Sequence, residues 1–265
     1  MKAGGREFVN YWEKTVPWTF RREGLTYAER RRLRYSLQDY MAEAIPFKEY
    51  AGKRMLEVGS GSGIDSAEFG KNGAEVVSLD FTETGVRTTR ETLYEAGVAS
   101  FDVVRGSAEL LPFRNGVFDC VYSFGVIHHI PKARKVAKEI SAALVPRGEF
   151  ICMVYNKESL LYAYSILFLH RGAGSEEELV SRYSERFEGC PYTRTYTEKE
   201  VASLLGADFD KVSTTVHFNA IDTLHERKVK VGISDDYRLG WHIIARARKR
   251  HGSRARRRQL DRDLL

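Results

Sequence analysis

The sequence predicts a doubly wound α/β fold, and three features predict it. Short apolar runs alternate with helix-like stretches from residue 53 to residue 155, the pattern of strands connected by crossover helices in a parallel sheet. The first of these runs, Met55-Leu56-Glu57-Val58, passes directly into Gly59-Ser60-Gly61-Ser62-Gly63, where missing Cβ atoms let the backbone turn sharply and approach a ligand. The second, Val76-Val77-Ser78-Leu79, ends on Asp80, 23 positions after Glu57. In an open α/β sheet an acid at that strand end is placed to grip the two hydroxyls of a ribose.

The elements follow in order. Residues 6–45 are rich in aromatics, Arg and Glu, and Leu25, Ala28, Leu33, Leu37, Tyr40 and Met41 recur at helical spacing, so one or two helices precede the sheet. Strand 53–58, helix 63–72, strand 75–80, helix 83–97, strands 101–105 and 117–123, helix 132–144 and strand 148–155 then alternate. Pro131 fits the first turn of its helix, where a missing N–H costs little. The stretch 157–195 interrupts the alternation with an apolar helix, Ser159–His170, followed by a glycine-containing turn. Ser175/Glu178 and Thr197/Glu200 have the spacing of capping boxes that open two further helices. The sheet resumes at 209–218 and ends on a strand beginning Trp241-His242-Ile243-Ile244. The expected organisation is an N-terminal helical segment over 1–50, a main domain over 51–248 carrying a helical lid at 157–195, and a basic tail over 249–265. No internal repeat is visible.

Composition narrows the setting. The 265 residues suffice for one α/β domain with insertions and a sizeable core. Cys120, Cys152 and Cys190 are far apart and form no C-x-x-C, which argues against a disulfide framework or a cysteine zinc site; no metal is expected. The N-terminus lacks the apolar region of a signal peptide, and the longest apolar stretch, Leu160–Leu169, is too short to span a bilayer. A cytoplasmic protein, monomer or homodimer, is the expectation. Residues 246–265 hold nine Lys/Arg and two Asp, net +7 against +6 for the whole chain, leaving the remainder at −1. Such a tail attracts polyanions, nucleic acid included, or is simply solvated.

The glycine loop and Asp80 imply a nucleoside-bearing cofactor, and the loop spacing selects among such cofactors. The dinucleotide fingerprint is G-x-G-x-x-G, with a helix N-terminus aimed at a pyrophosphate. Here the pattern is E-x-G-x-G-x-G. An acid beside the loop disfavours phosphate and suits a cation, and S-adenosylmethionine carries an ammonium and a sulfonium but no phosphate. A dehydrogenase is disfavoured on the same ground.

At these residues the chain resembles the class I S-adenosylmethionine-dependent methyltransferases, and the similarity continues over about residues 50–156. Gly106-Ser107-Ala108-Glu109-Leu110-Leu111-Pro112-Phe113 resembles the family's adenine-contacting segment. Phe118–Ser123 is similar to its fourth strand, Val126-Ile127-His128-His129-Ile130 to the segment that follows, and Leu144–Phe150 to the turn into its fifth strand. Two departures stand out: Ser107 occupies a position where the family usually has an acid, and Pro146-Arg147-Gly148 replaces the usual Pro-Gly-Gly. The resemblance implies a Rossmann-like seven-stranded sheet of order 3-2-1-4-5-7-6 with the last strand antiparallel. It also implies methyl transfer from S-adenosyl-L-methionine.

Site residues are assigned on that footing. Cofactor contacts are expected at Glu57, Gly59, Ser60, Gly61, Gly63, Asp80, Phe81, Ser107, Ala108, Glu109 and Ser123. Glu57 orients the loop, Asp80 takes the ribose, Phe81 covers one face of adenine, and Gly63 also permits close helix packing. Methyl transfer needs a nucleophile held in line with an already activated carbon, and a base only where a proton must leave. His128 and His129 are the catalytic candidates. Tyr11, Trp12, Tyr27 and Arg30 are candidates to close over the cofactor. The expected acceptor is a small or medium-sized organic molecule methylated at O, N or C; the alternatives are an RNA methyltransferase and a catalytically silent cofactor-binding protein.

Overall fold

The computed structural model describes residues 5–15, 24–185, 189–222 and 228–251. Its centre is a seven-stranded sheet. The strands are β1 (Arg54–Val58), β2 (Glu75–Asp80), β3 (Phe101–Arg105), β4 (Phe118–Phe124), β5 (Leu144–Tyr155), β6 (Phe209–His217) and, after a two-stranded ribbon of β7 (Ala220–Asp222) and β8 (Lys228–Lys230), β9 (His242–Lys249). The spatial order is β3-β2-β1-β4-β5-β9-β6. Counting only the strands of this sheet, that is 3-2-1-4-5-7-6. β9 runs antiparallel to both β5 and β6, and the other pairings are parallel.

Strand side chains alternate between two cores, as a period of two requires when both faces are covered. Leu56, Val58, Val77, Leu79, Val121, Cys152 and Ile243 face one cluster. Met55, Val76, Cys120, Tyr122, Ile151, Met153 and Ile244 face the other. The first face is covered by α6 (Ala133–Ala143) and α8 (Glu198–Leu205). The second meets the short α3 (Met41–Ala44), Phe69 of α4 (Ile64–Lys71), α7 (Glu176–Tyr183) and a wide helical segment over Leu161–Phe168. α5 (Glu83–Glu95) packs beside α4 at the β2–β3 end.

Both capping boxes close as their spacing requires: the Ser175 and Thr197 hydroxyls accept from the amides of Glu178 and Glu200. Pro131 is a correction. Its helix begins at Ala133 with Lys132 as cap, so Pro131 precedes the first turn. The interrupting helix is also shorter than its apolar run, and Leu169 N bonds Tyr164 O five residues back at 3.0 Å. Leu161, Tyr162, Ser165 and Ile166 bury one side of it in the second core. Arg147 adopts φ 65° where the resembled family has glycine; the left-handed conformation costs a non-glycine residue on the order of 1 kcal/mol.

The N-terminal helices depart from the apolar reading. They are α1 (Arg6–Thr15) and α2 (Tyr27–Leu37). Leu37 of α2 is 51% exposed, and the buried face is Tyr27, Arg30 and Arg34. Two arginines point inward because partners wait there. Arg30 donates to Thr92 (2.9 Å) and pairs with Glu95, and Arg34 forms a two-pronged pair with Asp65 (2.7 and 3.2 Å). Most of the basic tail, residues 252–265, lies outside the described residues.

Candidate active site

The carboxyl ends of β1, β2 and β4 converge on the glycine loop. Gly59 has φ 79°, and a Cβ there would stand 2.3 Å from the Val126 side chain, so the loop is pressed against the segment following β4. At Gly63, φ 73°, a Cβ would meet the Thr89 backbone at 2.7 Å, which fixes close packing of the loop on α5. The α5 threonines hold the loop from that side: Thr89 donates to Gly61 O (3.2 Å) and Thr92 to Ser62 O (2.7 Å). Ser60 faces Thr89 at 2.9 Å, toward the helix.

Asp80 is 4% exposed and already organises this end of the sheet. One carboxylate oxygen accepts from Gly61 N (2.9 Å), the other from Thr82 N (2.9 Å) and the Thr82 hydroxyl (2.6 Å). Each oxygen has further acceptor capacity. Burial raises the Asp80 pKa above 3.8, against the pull of the Thr82 and Gly61 donors.

Glu57 lies deeper than its place in the motif suggests. It is 3% exposed, turned under the loop, and takes the Ser66 hydroxyl, which is 2.7 Å from Ser78. Burial, and then the charge of Asp65, push its pKa well above 4.5. The full negative charge assumed beside the loop is therefore disfavoured, and Glu57 acts as a buried support of the turn. Ser123 is likewise internal, donating to Val58 O at 3.1 Å. Ser107 accepts from Glu109 N (3.2 Å) and stays exposed, and Ala108 is buried. Glu109 turns toward Lys132 and Lys135 (3.6 and 3.8 Å).

α1 lies over this region. Phe8 packs on Phe81 with ring centres 5.6 Å apart, and Trp12 on His129 at 4.7 Å. Glu13 caps the start of α5: it accepts from Glu83 N (2.7 Å), Thr84 N (3.0 Å) and the Thr84 hydroxyl (2.6 Å). Tyr27 and Arg30 are turned away, Tyr27 into the cluster of Ala67, Leu93 and Val98. Of the four residues considered for closure, Tyr11 and Trp12 belong to the helix that closes over the site.

The Glu13 contact is pH-dependent with a definite sign. Burial opposes ionisation, but the Thr84 hydroxyl and the amides of Glu83 and Thr84 lower the pKa below 4.5. Stabilisation is therefore fully present above the ordinary carboxylate range and is lost as pH falls through the lowered value. Glu13→Gln should weaken docking of α1 by about 0.5–1 kcal/mol after solvent screening. Hydrogen exchange within residues 6–15 should then run roughly two- to fivefold faster at neutral pH. Unchanged exchange would mean that the aromatic contacts alone hold the helix.

Beyond the loop stand His128 and His129, 0% and 3% exposed, with ring centres 4.2 Å apart. His128 packs at a tilt on Tyr155 (3.9 Å), which stacks on Trp241 (4.3 Å). The two histidines differ electrostatically. Burial, then the neighbouring His129, drive the His128 pKa well below 6.5. Burial opposes charging His129 as well, but Cys190 and Glu185 outweigh it and raise its pKa to about 10. Glu185 lies 3.4 Å from His129 Nε2 and accepts the Tyr155 hydroxyl at 2.5 Å.

Sequence reading did not anticipate Glu185, Cys190, Tyr155 or Glu13. Tyr155 alone had a signal, at the end of a strand on the cofactor side. Cys190 is 61 residues from His129, and no spacing rule connects them.

Comparison with known proteins places this arrangement. Residues 56–152 match the model of a methyltransferase domain. The ubiquinone/menaquinone biosynthesis C-methyltransferase UbiE of Yersinia enterocolitica is 30% identical over 186 residues, covering 66% of this chain and 73% of that protein. Among solved structures, the PH0226 protein of Pyrococcus horikoshii superposes with a TM-score of 0.61 at 18% identity, covering 91% of this chain and 99% of that one. A SAM-dependent methyltransferase of Methanosarcina mazei gives 0.55 at 20% identity, covering 75% and 92%. At these identities the structural likeness speaks for the fold.

Proposed function

The chain belongs to the class I S-adenosylmethionine-dependent methyltransferases, and from that premise we propose that its acceptor is a small, electron-rich ring bearing a hydroxyl group, methylated at carbon or oxygen. The observation that carries this reading is the chemical character of the side chains gathered beyond the loop. Around His128 and His129 stand Trp12, Tyr155, Cys190, Thr193 and Glu185. These side chains suit a flat apolar ring, and the carboxylate repels a phosphate backbone while welcoming a hydroxyl donor. The similarity to a C-methyltransferase of quinone biosynthesis points the same way.

The cofactor fits the residues present. Gly59 and Gly61 turn the backbone at positive φ with no Cβ to stand between it and a ligand, Asp80 keeps acceptor capacity at the β2 end, and Phe81 is half-buried beside it. On this reading Gly59 and Gly61 meet the amino-acid end, Asp80 the ribose, and Phe81 with Ser107 and Ala108 the adenine. S-adenosylmethionine supplies a methyl group on a sulfonium leaving group. The protein holds the acceptor in line, excludes water beneath α1, and presents His128 and His129 to the acceptor's hydroxyl. Ser60, Glu57 and Ser123 act behind the loop, and residues 189–195 form the part of the insertion that covers the acceptor.

The RNA alternative is tested through the tail. Truncation should fall after His251, because Arg250 donates to the carbonyls of Phe209 (3.1 Å) and Gly206 (2.7 Å). Labelled methyl transfer to hydroxylated aromatic acceptors should be unchanged by that truncation and insensitive to salt. Transfer to RNA that falls steeply with salt and with loss of the tail would overturn the small-acceptor reading.

A further inference from the structure

We propose that His128, His129 and Glu185 bind a divalent transition-metal ion of zinc's class, with an open position toward the acceptor. This rests on the acceptor reading only for what the ion would hold; the ion site itself stands on its own geometry. One donor atom from each residue lies within 4.8 Å of the other two. Donors about 2.0–2.1 Å from a shared tetrahedral ion stand roughly 3.4 Å apart. His129 Nε2 and Glu185 are at 3.4 Å already, and rotation of the partly exposed Glu185 side chain brings in the rest.

Three independent details support a ligand here. His128 is fully buried, and among the described residues neither ring nitrogen has a hydrogen-bond partner; the Met153 backbone approaches without meeting hydrogen-bond geometry. An unpartnered buried polar group costs about 1–3 kcal/mol, which coordination would remove. His129 Nδ1 is 3.1 Å from the Tyr192 carbonyl; donating there leaves Nε2, which faces Glu185, as the nitrogen that an ion would take in exchange for its proton. The Tyr155 hydroxyl donates to Glu185 Oε1, the oxygen that faces His129, and fixes the carboxylate there. A carbonyl fixing the histidine tautomer and a donor orienting the carboxylate are the supports that metal ligands use.

The donor set indicates the class of ion. Two imidazoles and one carboxylate suit zinc or iron(II) and disfavour magnesium and calcium, which prefer all-oxygen surroundings. Three protein ligands leave a fourth place free, where an acceptor hydroxyl would bind and become more acidic. Cysteine spacing excludes only a cysteine zinc site. Here the carboxylate comes from 56 positions beyond His129 in the chain.

The test uses the full-length chain, tag-free and stripped by a chelator. Zn²⁺ titrated by calorimetry should bind one ion per chain. Co²⁺ should give visible bands of a four- or five-coordinate site, and Mg²⁺ should give no signal. His128→Ala and Glu185→Gln should each weaken Zn²⁺ binding on the order of a hundredfold, and Tyr155→Phe about tenfold, with S-adenosylhomocysteine affinity retained in all three. Absence of stoichiometric Zn²⁺ or Co²⁺ binding to the unaltered chain overturns the proposal. So does tight binding that survives His128→Ala. If that variant fails to bind S-adenosylhomocysteine, and so has lost its fold, Tyr155→Phe decides: an unchanged Zn²⁺ affinity counts against the site. Ion stoichiometry is read without methyl transfer, so a metal-binding chain inactive on hydroxylated rings would sink the acceptor reading alone.

Discussion

Arg34→Met is expected to lower the unfolding free energy by about 3–5 kcal/mol, the usual consequence of stripping one partner from a buried ion pair. Arg34 and Asp65 are each 6% exposed, and the guanidinium meets the carboxylate at two points. Burial disfavours the charged guanidinium, but the Asp65 carboxylate more than compensates and holds its pKa above the ordinary value. Tyr35 and Tyr122 also donate to Asp65, both at 3.0 Å. Removing the cation leaves that carboxylate beside buried Glu57, with only hydroxyls to hold it. Asp65 is in the first turn of α4, immediately after the glycine loop, so the damage should extend to cofactor affinity. Chemical denaturation measures the first effect and calorimetry with S-adenosylhomocysteine the second. The double variant Arg34→Met, Asp65→Leu should recover a large part of the stability, because paired removal leaves no buried charge. A single-variant loss below about 1 kcal/mol would show that water reaches the pair and that α2 is held mainly by its other contacts.

That pair also shows where sequence reading stops. The strand at 75–80 was legible because a nearly continuous apolar run marks a strand buried on both faces. The capping boxes were legible because their chemistry is local. The face of α2 was not: Leu33 and Leu37 suggested an apolar stripe, whereas what α2 buries is decided by Asp65 and Glu95, 31 and 65 residues downstream of Arg34 and Arg30. The site divides in the same way. The sharp turn at Gly59 and Gly61 and the place of Asp80 at the end of β2 were readable because positive φ favours glycine and the acid closes a short apolar run. Glu57 was readable as a position but not as a chemical state, since its protonation depends on burial and on Asp65. Glu185 and Cys190 reach His129 only through the insertion's path across the strand ends, and nothing in their local sequence records it.

Asp80→Ala is expected to weaken S-adenosylhomocysteine binding by about 2–4 kcal/mol, the loss of a charge-assisted pair of hydrogen bonds to the ribose. At 1.4 kcal/mol per tenfold change, this corresponds to roughly thirty- to several hundredfold. The structure adds a second route to the same loss. Asp80 ties Gly61 N to Thr82, and the Thr82 hydroxyl in turn caps α5 by accepting from Gly85 N at 3.0 Å. Alanine therefore removes the proposed ribose acceptor and slackens the loop at once. Asp80→Asn separates the two contributions: one side-chain oxygen remains as an acceptor while the charge is lost. An intermediate affinity is expected from asparagine, with thermal stability close to that of the unaltered chain. If alanine and asparagine bind S-adenosylhomocysteine equally weakly, charge is the dominant contribution. If both bind as tightly as the unaltered chain, the carboxylate serves only the loop and the ribose must be held elsewhere.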